Sequence, residues 1–268
     1  MDSQEMFSLK DKTIVLTGAS GLLGSAIAKG LAKAQATLIL NGRNQEKVSA
    51  LANSLRNQGT QVFECVADIA DTQQMQAILI PILEKVEVLH GLINNAYTGQ
   101  TATLENSTKE QFSKAYEIAV GAPFELIQHC LPYLRRAAKL QPFEPSIVNI
   151  GSMYATVSPD PQIYGASGFN NPPFYGSAKA GLTQLSRYLA CHLAKEGIRV
   201  NTISPGPFVR DEVACRYPEF YSALCNKIPM NRVGKPAEMI GPLLFLLSSA
   251  STFVTGANLT VDGGWTAW

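Results

Sequence analysis

Short runs of β-branched and apolar residues alternate with longer amphipathic stretches along the whole of this 268-residue chain, and no other feature constrains its fold as strongly. Strands separated by segments of helical length cannot be joined as hairpins. The chain must cross over between them, which makes neighbouring strands parallel and buries the sheet between helices. Strands are predicted at Thr13–Thr17, Thr37–Asn41, Val62–Val66, Val88–Asn94, Ser146–Ile150, Arg199–Ser204 and Asn258–Val261. Helices are predicted at Gly24–Ala34, Gln45–Asn57, Glu110–Cys130 and Tyr175–Lys195, the last with Leu182, Leu185, Leu189 and Leu193 on one face. The expected architecture is α/β: one domain over residues 1–268, a doubly wound parallel sheet of about seven strands with helices on both faces. Two segments break the rhythm. One, at about 156–173, is rich in Gly, Pro, Asn and aromatic residues, and the other, at about 207–232, carries several prolines and charges. Irregular stretches of this length are usually functional or mobile, so the first is expected to be an inserted pocket segment and the second a mobile substrate segment.

Composition narrows the partners. The 22 basic and 21 acidic residues leave a formal charge of +1, too balanced for the electrostatic footprint of a nucleic-acid or anionic-membrane binder. No apolar run approaches the roughly 20 residues that span a bilayer. The opening MDSQEMFSLK lacks the basic-then-apolar order of a secretory leader, so a cytoplasmic protein is expected. Cys65, Cys130, Cys191, Cys215 and Cys225 are scattered and never spaced C-x-x-C, and His90, His129 and His192 lie far apart. Reduced thiols and no metal site are the expectation.

Two features can carry chemistry. The first strand runs through Thr17-Gly18-Ala19-Ser20-Gly21-Leu22-Leu23-Gly24 into a helix. Glycines there allow a tight turn and close approach to the backbone, and the helix start offers free N–H groups to a diphosphate. A plain strand-to-helix turn would also carry glycines. Further on, Tyr175 and Lys179 stand one helical turn apart on one face. A neighbouring ammonium favours the phenolate and brings a tyrosine within range of acid–base work. Two unrelated surface residues would show the same spacing.

Four more motifs follow in order: Asp68 after the third strand, Asn94-Asn95-Ala96 after the fourth, Ser152 after the fifth and Pro205-Gly206 after the sixth. With these the chain resembles the short-chain dehydrogenases/reductases from Thr13 to Trp265, and Val261-Asp262-Gly263-Gly264 resembles the family's ending. The resemblance implies a Rossmann fold and an oxidoreductase that moves a hydride between NAD(H) or NADP(H) and a carbonyl or alcohol carbon. It implies Tyr175 as general acid or base, Ser152 as the hydrogen-bonding partner of the substrate oxygen, and Lys179 as the group that lowers the tyrosine pKa and holds the nicotinamide ribose. The implied cofactor residues are Gly18, Ser20, Leu23, Gly24, Arg43, Asp68, Ile69, Asn95, Tyr175, Lys179, Pro205, Gly206 and Phe208. Asp68 would accept from the adenine amino group. At the end of the second strand, Gly42 offers no carboxylate for a ribose 2′-hydroxyl and Arg43 can meet a 2′-phosphate, which favours NADP(H). If Arg43 only stacks on adenine, NAD(H) is also possible.

The chain departs from the family pattern in four places. Leu22 stands where a glycine is expected, Tyr97 replaces the glycine after Asn94-Asn95-Ala96, and Ala119 takes the place of an asparagine in the proton relay. A relay that depends on a kinked backbone carbonyl would survive Ala119. Ser152 and Tyr175 are also farther apart than in typical relatives, the excess falling in 156–173. That insertion is a pocket wall or lid, or else an oligomer contact or flap; Tyr154, Tyr164 and Phe169 within or beside it, and Tyr97, are the candidate substrate contacts. Arg210, Arg216 and Lys227 are further cations able to meet a substrate carboxylate or phosphate.

The favoured function is NADP(H)-preferring interconversion of a carbonyl and an alcohol on a polar small molecule, a sugar acid, sugar or biosynthetic aldehyde or ketone. Gluconate 5-dehydrogenase-like proteins and flagellin-modification oxidoreductases, which act on surface glycans, are the nearest resemblances. A 3-oxoacyl thioester reductase is the alternative. A cofactor-binding sensor or scaffold with little turnover is the alternative of another class, motivated by Ala119 and Leu22 and opposed by retention of Ser152. A homotetramer is expected, a dimer second, with Trp265 and Trp268 suited to burial between subunits.

Overall fold

The computed structural model describes residues 3–99 and 101–268. After a single turn, α1 (Ser3–Met6), the elements are β1 (Thr13–Leu16), α2 (Leu22–Lys33), β2 (Thr37–Gly42), α3 (Gln45–Arg56), β3 (Val62–Val66), α4 (Thr72–Val86) and β4 (Gly91–Asn94). There follow α5 (Lys109–Tyr116), α6 (Ala122–Leu140), β5 (Ser146–Ile150), α7 (Pro173–Leu193), β6 (Arg199–Pro205), α8 (Asp211–Arg216), α9 (Pro218–Lys227), α10 (Ile240–Leu247) and β7 (Asn258–Val261). The seven strands are parallel and run β3-β2-β1-β4-β5-β6-β7, the expected α/β Rossmann sheet.

Alternation along β1 builds both layers. Ile14 and Leu16 pack with Leu31, Leu51 and Leu243 from α2, α3 and α10, whereas Val15 packs with Leu79, Ile127 and Leu189 from α4, α6 and α7. Every residue of β1 and β4 is buried, which is why these strands read as continuous apolar runs. Strand order reverses between β1 and β4, and the crevice at their carboxyl ends is where such sheets bind ligands.

Several boundaries differ from expectation, three of them for a clear physical reason. β4 begins at Gly91, not Val88, because Glu87 leaves α4 in the left-handed region (φ 62°) and the Leu89 N–H donates to the Tyr133 carbonyl of α6 at 3.3 Å. The helix expected over Glu110–Cys130 is broken by a π-turn at Glu117–Gly121, and its second part continues to Leu140. α7 starts at Pro173, a residue whose missing N–H costs nothing in a first helical turn.

One buried cation fastens the far edge. Arg199 at the start of β6 is 1% exposed; its Nε donates to the Phe143 carbonyl at 2.6 Å, and its Nη1 to the Leu246 carbonyl and Ser251 Oγ at 2.8 Å each. Nη2 reaches the Ser248 carbonyl at 3.3 Å and the Glu144 carbonyl at 3.4 Å. A positive charge at the end of α10 also opposes that helix's dipole.

His90 sits between β1 and the Lys12–Glu144 ion pair, its Nδ1 accepting from the Thr13 N–H at 3.1 Å. Burial, with Lys12 adding to it against Glu144, holds the imidazole down at about 4, so it is neutral in the fold. A depressed folded pKa stabilises the protein above the unfolded value of about 6.5 and is lost as pH falls toward 4. Urea unfolding is therefore expected to show a decline of up to about 3 kcal/mol across that window, and His90→Gln should lack most of the slope.

Candidate active site

The crevice is bounded first by the glycine-rich turn. Gly21 caps α2 without any side-chain hydrogen bond, leaving the first N–H groups of the helix available. A Cβ at Gly24 would lie 2.1 Å from the Gly18 carbonyl, so only glycine fits there. Helix α2 starts at Leu22, so the residue at the displaced glycine position is taken into the first helical turn. Asn95 braces the turn from β4: its Nδ2 donates to the Thr17 carbonyl at 2.9 Å and the Gly18 carbonyl at 3.3 Å, and its N–H to Thr17 Oγ1 at 2.9 Å. Thr17, which the sequence did not single out, is the common anchor, since the Ala96 N–H also donates to its Oγ1 at 3.0 Å.

The crevice has a volume of about 710 Å³. Gly18, Ser20, Leu23, Gly24, Arg43, Asp68, Ile69, Asn95 and Phe208 line it, together with Tyr97. Gly206 instead borders a neighbouring cleft that shares Phe208, and Pro205 is buried at the end of β6. Four cations, Arg43, Lys47, Lys114 and Arg210, and one carboxylate, Asp68, line the crevice; with Lys114 also paired to Glu117 at 3.1 Å, it is still basic for a chain of net charge +1. Arg43 Nη2 donates to Thr98 Oγ1 at 3.1 Å and Nη1 lies 3.5 Å from Asp68 Oδ2. Asp68 Oδ1 accepts from the Ala70 N–H at 3.0 Å. Lys47 was foreshadowed only by its place one turn into the helix after Arg43.

Ser152, Tyr175 and Lys179 come together at the carboxyl end of β5; none of them lines the crevice, and Tyr97, which does, stands between, its ring 5.1 Å from that of Tyr175 and 5.0 Å from Lys179 Nζ. Ser152 is 4% exposed and its Oγ accepts from the Tyr154 N–H at 3.1 Å. Tyr175 reaches it because Gly176 lets α7 close on this loop: a Cβ there would stand 2.7 Å from the Tyr154 carbonyl. α7 is further pinned through the sheet, Asn94 Nδ2 donating to Asn149 Oδ1 at 2.7 Å and Asn149 Nδ2 to Ser186 Oγ at 2.8 Å. Burial pushes the Tyr175 phenol up while the Ser152 hydroxyl pulls it back. Lys179 is 4% exposed, and its Nζ donates to the Ile150 carbonyl at 2.7 Å and lies 6.0 Å from the Tyr175 ring centroid. Burial brings Lys179 down to about 8.

Ala119 lies inside the π-turn and is 1% exposed. A π-turn widens the spiral and takes carbonyls out of their usual i→i+4 pairing, so the backbone kink is formed with alanine in the asparagine's place.

The two irregular segments pack on each other. Tyr164 stacks on Phe220 of α9 at 5.9 Å and 16°, and Phe169 meets Tyr217 at 4.7 Å and Phe220 at 5.0 Å. Asp160 pairs with Lys227 at 3.0 Å, while Ile163, Leu224, Ile228 and Met153 share one buried cluster with Trp265. Tyr164 and Phe169 are thus engaged with Phe220 of α9 and with Tyr217 just before it. Tyr154 is nearer the chemistry, its hydroxyl 3.5 Å from that of Tyr164 and its ring 6.3 Å from Trp265. Burial raises the Tyr154 phenol strongly. Trp265 is 5% exposed within its own chain, unlike Trp268 at 74%.

A family model described as enoyl-(acyl carrier protein) reductase matches residues 18–266. The chain belongs to the short-chain dehydrogenase/reductase family. Within it, the chain is 30% identical to 2-dehydro-3-deoxy-D-gluconate 5-dehydrogenase of Formosa agariphila, over 98% of this chain and 95% of that protein. It is 33% identical to the rhamnolipids biosynthesis 3-oxoacyl-[acyl-carrier-protein] reductase of Pseudomonas aeruginosa, over 96% and 97%. Among solved structures, a gluconate 5-dehydrogenase from Burkholderia cenocepacia in complex with NADP and tartrate superposes with a TM-score of 0.87 at 26% identity, covering 100% of both chains. The short-chain dehydrogenase/reductase described here is therefore an NAD(P)-dependent oxidoreductase acting on a CH–OH group. None of its described helices is long and apolar enough to cross a membrane.

Proposed function

We propose that the protein is an NADP(H)-preferring oxidoreductase that interconverts a carbonyl and an alcohol on a sugar acid or a similarly polar small molecule. The observation that carries this reading is the excess of cations around the crevice, with Arg43 directly after the carboxylate-free end of β2. The glycine-rich turn and bare α2 terminus fit a diphosphate, Arg43 and Lys47 a 2′-phosphate, and Asp68 and Ile69 the adenine. The nicotinamide, when bound, supplies or accepts the hydride. Tyr175 Oη gives its proton to the forming alkoxide in reduction and takes one in oxidation, and Ser152 Oγ orients the substrate oxygen toward it. Lys179 stabilises the phenolate and holds the ribose. Arg210 and Lys114 supply positive charge for a substrate carboxylate.

The gluconate and 2-dehydro-3-deoxygluconate enzymes among the relatives support a sugar acid, and segments 156–173 and 207–232 of this one domain are read as its pocket walls. The similarity to the Pseudomonas aeruginosa enzyme supports the second reading, a 3-oxoacyl thioester reductase. Turnover of NADPH with 5-keto sugar acids but not with 3-oxoacyl thioesters would establish the first, and the reverse result the second. Calorimetric titration of Arg43→Ala is expected to weaken NADPH by about 10- to 100-fold, the loss of a charge-assisted phosphate contact, and to leave NADH within about threefold. Equal weakening of both would assign Arg43 to adenine stacking.

A cytoplasmic homotetramer, with a dimer second, is part of the same proposal. Phe112 (41% exposed) and Tyr116 (54%) on α5, Phe124 (39%) on α6 and Tyr188 (57%) on α7 offer an apolar face for a second copy. Light scattering at micromolar concentration is expected to give four times the chain mass; monomer alone would overturn it.

A further inference from the structure

Tyr97 and Ala119, far apart in sequence, meet in space. Tyr97 packs against the cluster of Ala115, Ala119, Val120, Phe174, Ala178 and Leu182, where small side chains on the π-turn and α7 leave room for its ring. The ring stands 5.0 Å from Lys179 Nζ, and 5.1 Å from the Tyr175 ring, edge to face at 65°. A buried cation is normally paired, yet among the described residues no carboxylate forms an ion pair with Lys179. What it has is the Ile150 carbonyl at 2.7 Å, the face of Tyr97 at 5.0 Å and, farther off, the Tyr175 ring at 6.0 Å.

We propose that Tyr97 is a positioning residue for the reaction: its ring is the partner that keeps the Lys179 ammonium charged and directed beside Tyr175. The face of an aromatic ring attracts a desolvated cation, and an edge-to-face contact fixes the orientation of a neighbouring ring. Around Lys179 the groups to be considered are Tyr175 on its own helix, Ser152 and the Ile150 carbonyl at the end of β5, and Tyr97 from the loop after β4. On α5 and the π-turn the cluster against which Tyr97 packs is apolar, with Ala115, Ala119 and Val120, while Lys114 and Glu117 are exposed and paired with each other at 3.1 Å. The catalytic consequence rests on Tyr175 and Lys179 being the acid–base pair; the positioning contact itself does not.

The test is a pH titration by NMR of protein carrying ¹³Cε-lysine, with the Lys179 resonance identified by its loss in Lys179→Met. The wild-type midpoint is expected near 8. Tyr97→Leu keeps the position apolar but has no π face, so the midpoint should fall by about one pH unit, a tenfold loss of proton affinity. Tyr97→Phe keeps the face and should keep the midpoint. Tyr97→Gly admits water and should move it upward. Equal midpoints in the Leu and Phe variants would overturn the proposal, because they would reduce Tyr97 to filler; should the Gly variant not fold, the Leu–Phe contrast still decides. In turnover, Tyr97→Leu should have a kcat about tenfold below that of Tyr97→Phe. Absence of NADPH binding in every variant, with the NMR contrast intact, would overturn the functional reading and leave the positioning role standing.

Discussion

Replacement of Tyr175 by Phe is expected to reduce kcat about a thousandfold, roughly 4 kcal/mol of transition-state stabilisation, while NADPH still binds within about threefold of wild type. The change deletes one oxygen, the only atom of that ring able to give or take a proton, and leaves its edge-to-face packing on Tyr97 intact. Stopped-flow turnover and fluorescence titration on the same sample separate chemistry from binding. The pH dependence provides a second check. Burial raises the Tyr175 phenol above its ordinary value of about 10, so the protonated form needed for reduction persists across neutral pH. Oxidation needs the phenolate and should accelerate as pH rises through the alkaline range. Residual activity of Tyr175→Phe above a tenth of wild type would transfer the proton to another group.

The second large effect concerns stability. Arg199→Met should lower the unfolding free energy by about 3–5 kcal/mol, because five oxygens, three in buried and two in part-buried hydrogen bonds and four of them carbonyls of the segments 143–144 and 246–248, lose a charged donor at once. For a chain of this size that is a fall in Tm of about 10 °C, measurable by circular dichroism or calorimetry. Arg199→Lys, which keeps the charge but not the five-donor fork, should recover only part. The active-site geometry is remote from this cluster, so catalysis at low temperature should be affected far less than Tm.

Much of the fold was legible because a parallel sheet leaves a simple trace: strands such as Thr13–Leu16 and Gly91–Asn94 must be apolar on both faces, and the helices between them on one. Gly24 was legible for a steric reason, since any side chain would collide with the Gly18 carbonyl. Tyr175 and Lys179 could be paired because residues four apart share a helical face, and Ser152 joined them through the resemblance to the family. Pairwise contacts left no such trace. The π-turn at Glu117–Gly121 has no periodicity signal, and the bond from Lys179 to a backbone carbonyl depends on α7's exact approach. Trp265 was expected at a subunit boundary, but it fills its own chain's cluster with Met153, Ile163 and Leu224, a site that exists only once two irregular segments have met. Tyr164 and Phe169 were picked out as aromatic and near Tyr175; what they touch was set by Tyr217 and Phe220, some fifty residues later.

That aromatic clasp has an evolutionary corollary. The two irregular segments are separated in the chain by α7 and β6, yet they share rings, an ion pair and one apolar cluster, so a change in one bears on the packing of the other. Recombination between relatives with a crossover anywhere from 174 to 206 splits that pairing and sets a foreign Phe220 against a native Tyr164. Productive chimaeras should instead carry 153–173 and 207–232 from one parent, and a library built on such paired cassettes is the economical route to new substrate preference on this scaffold.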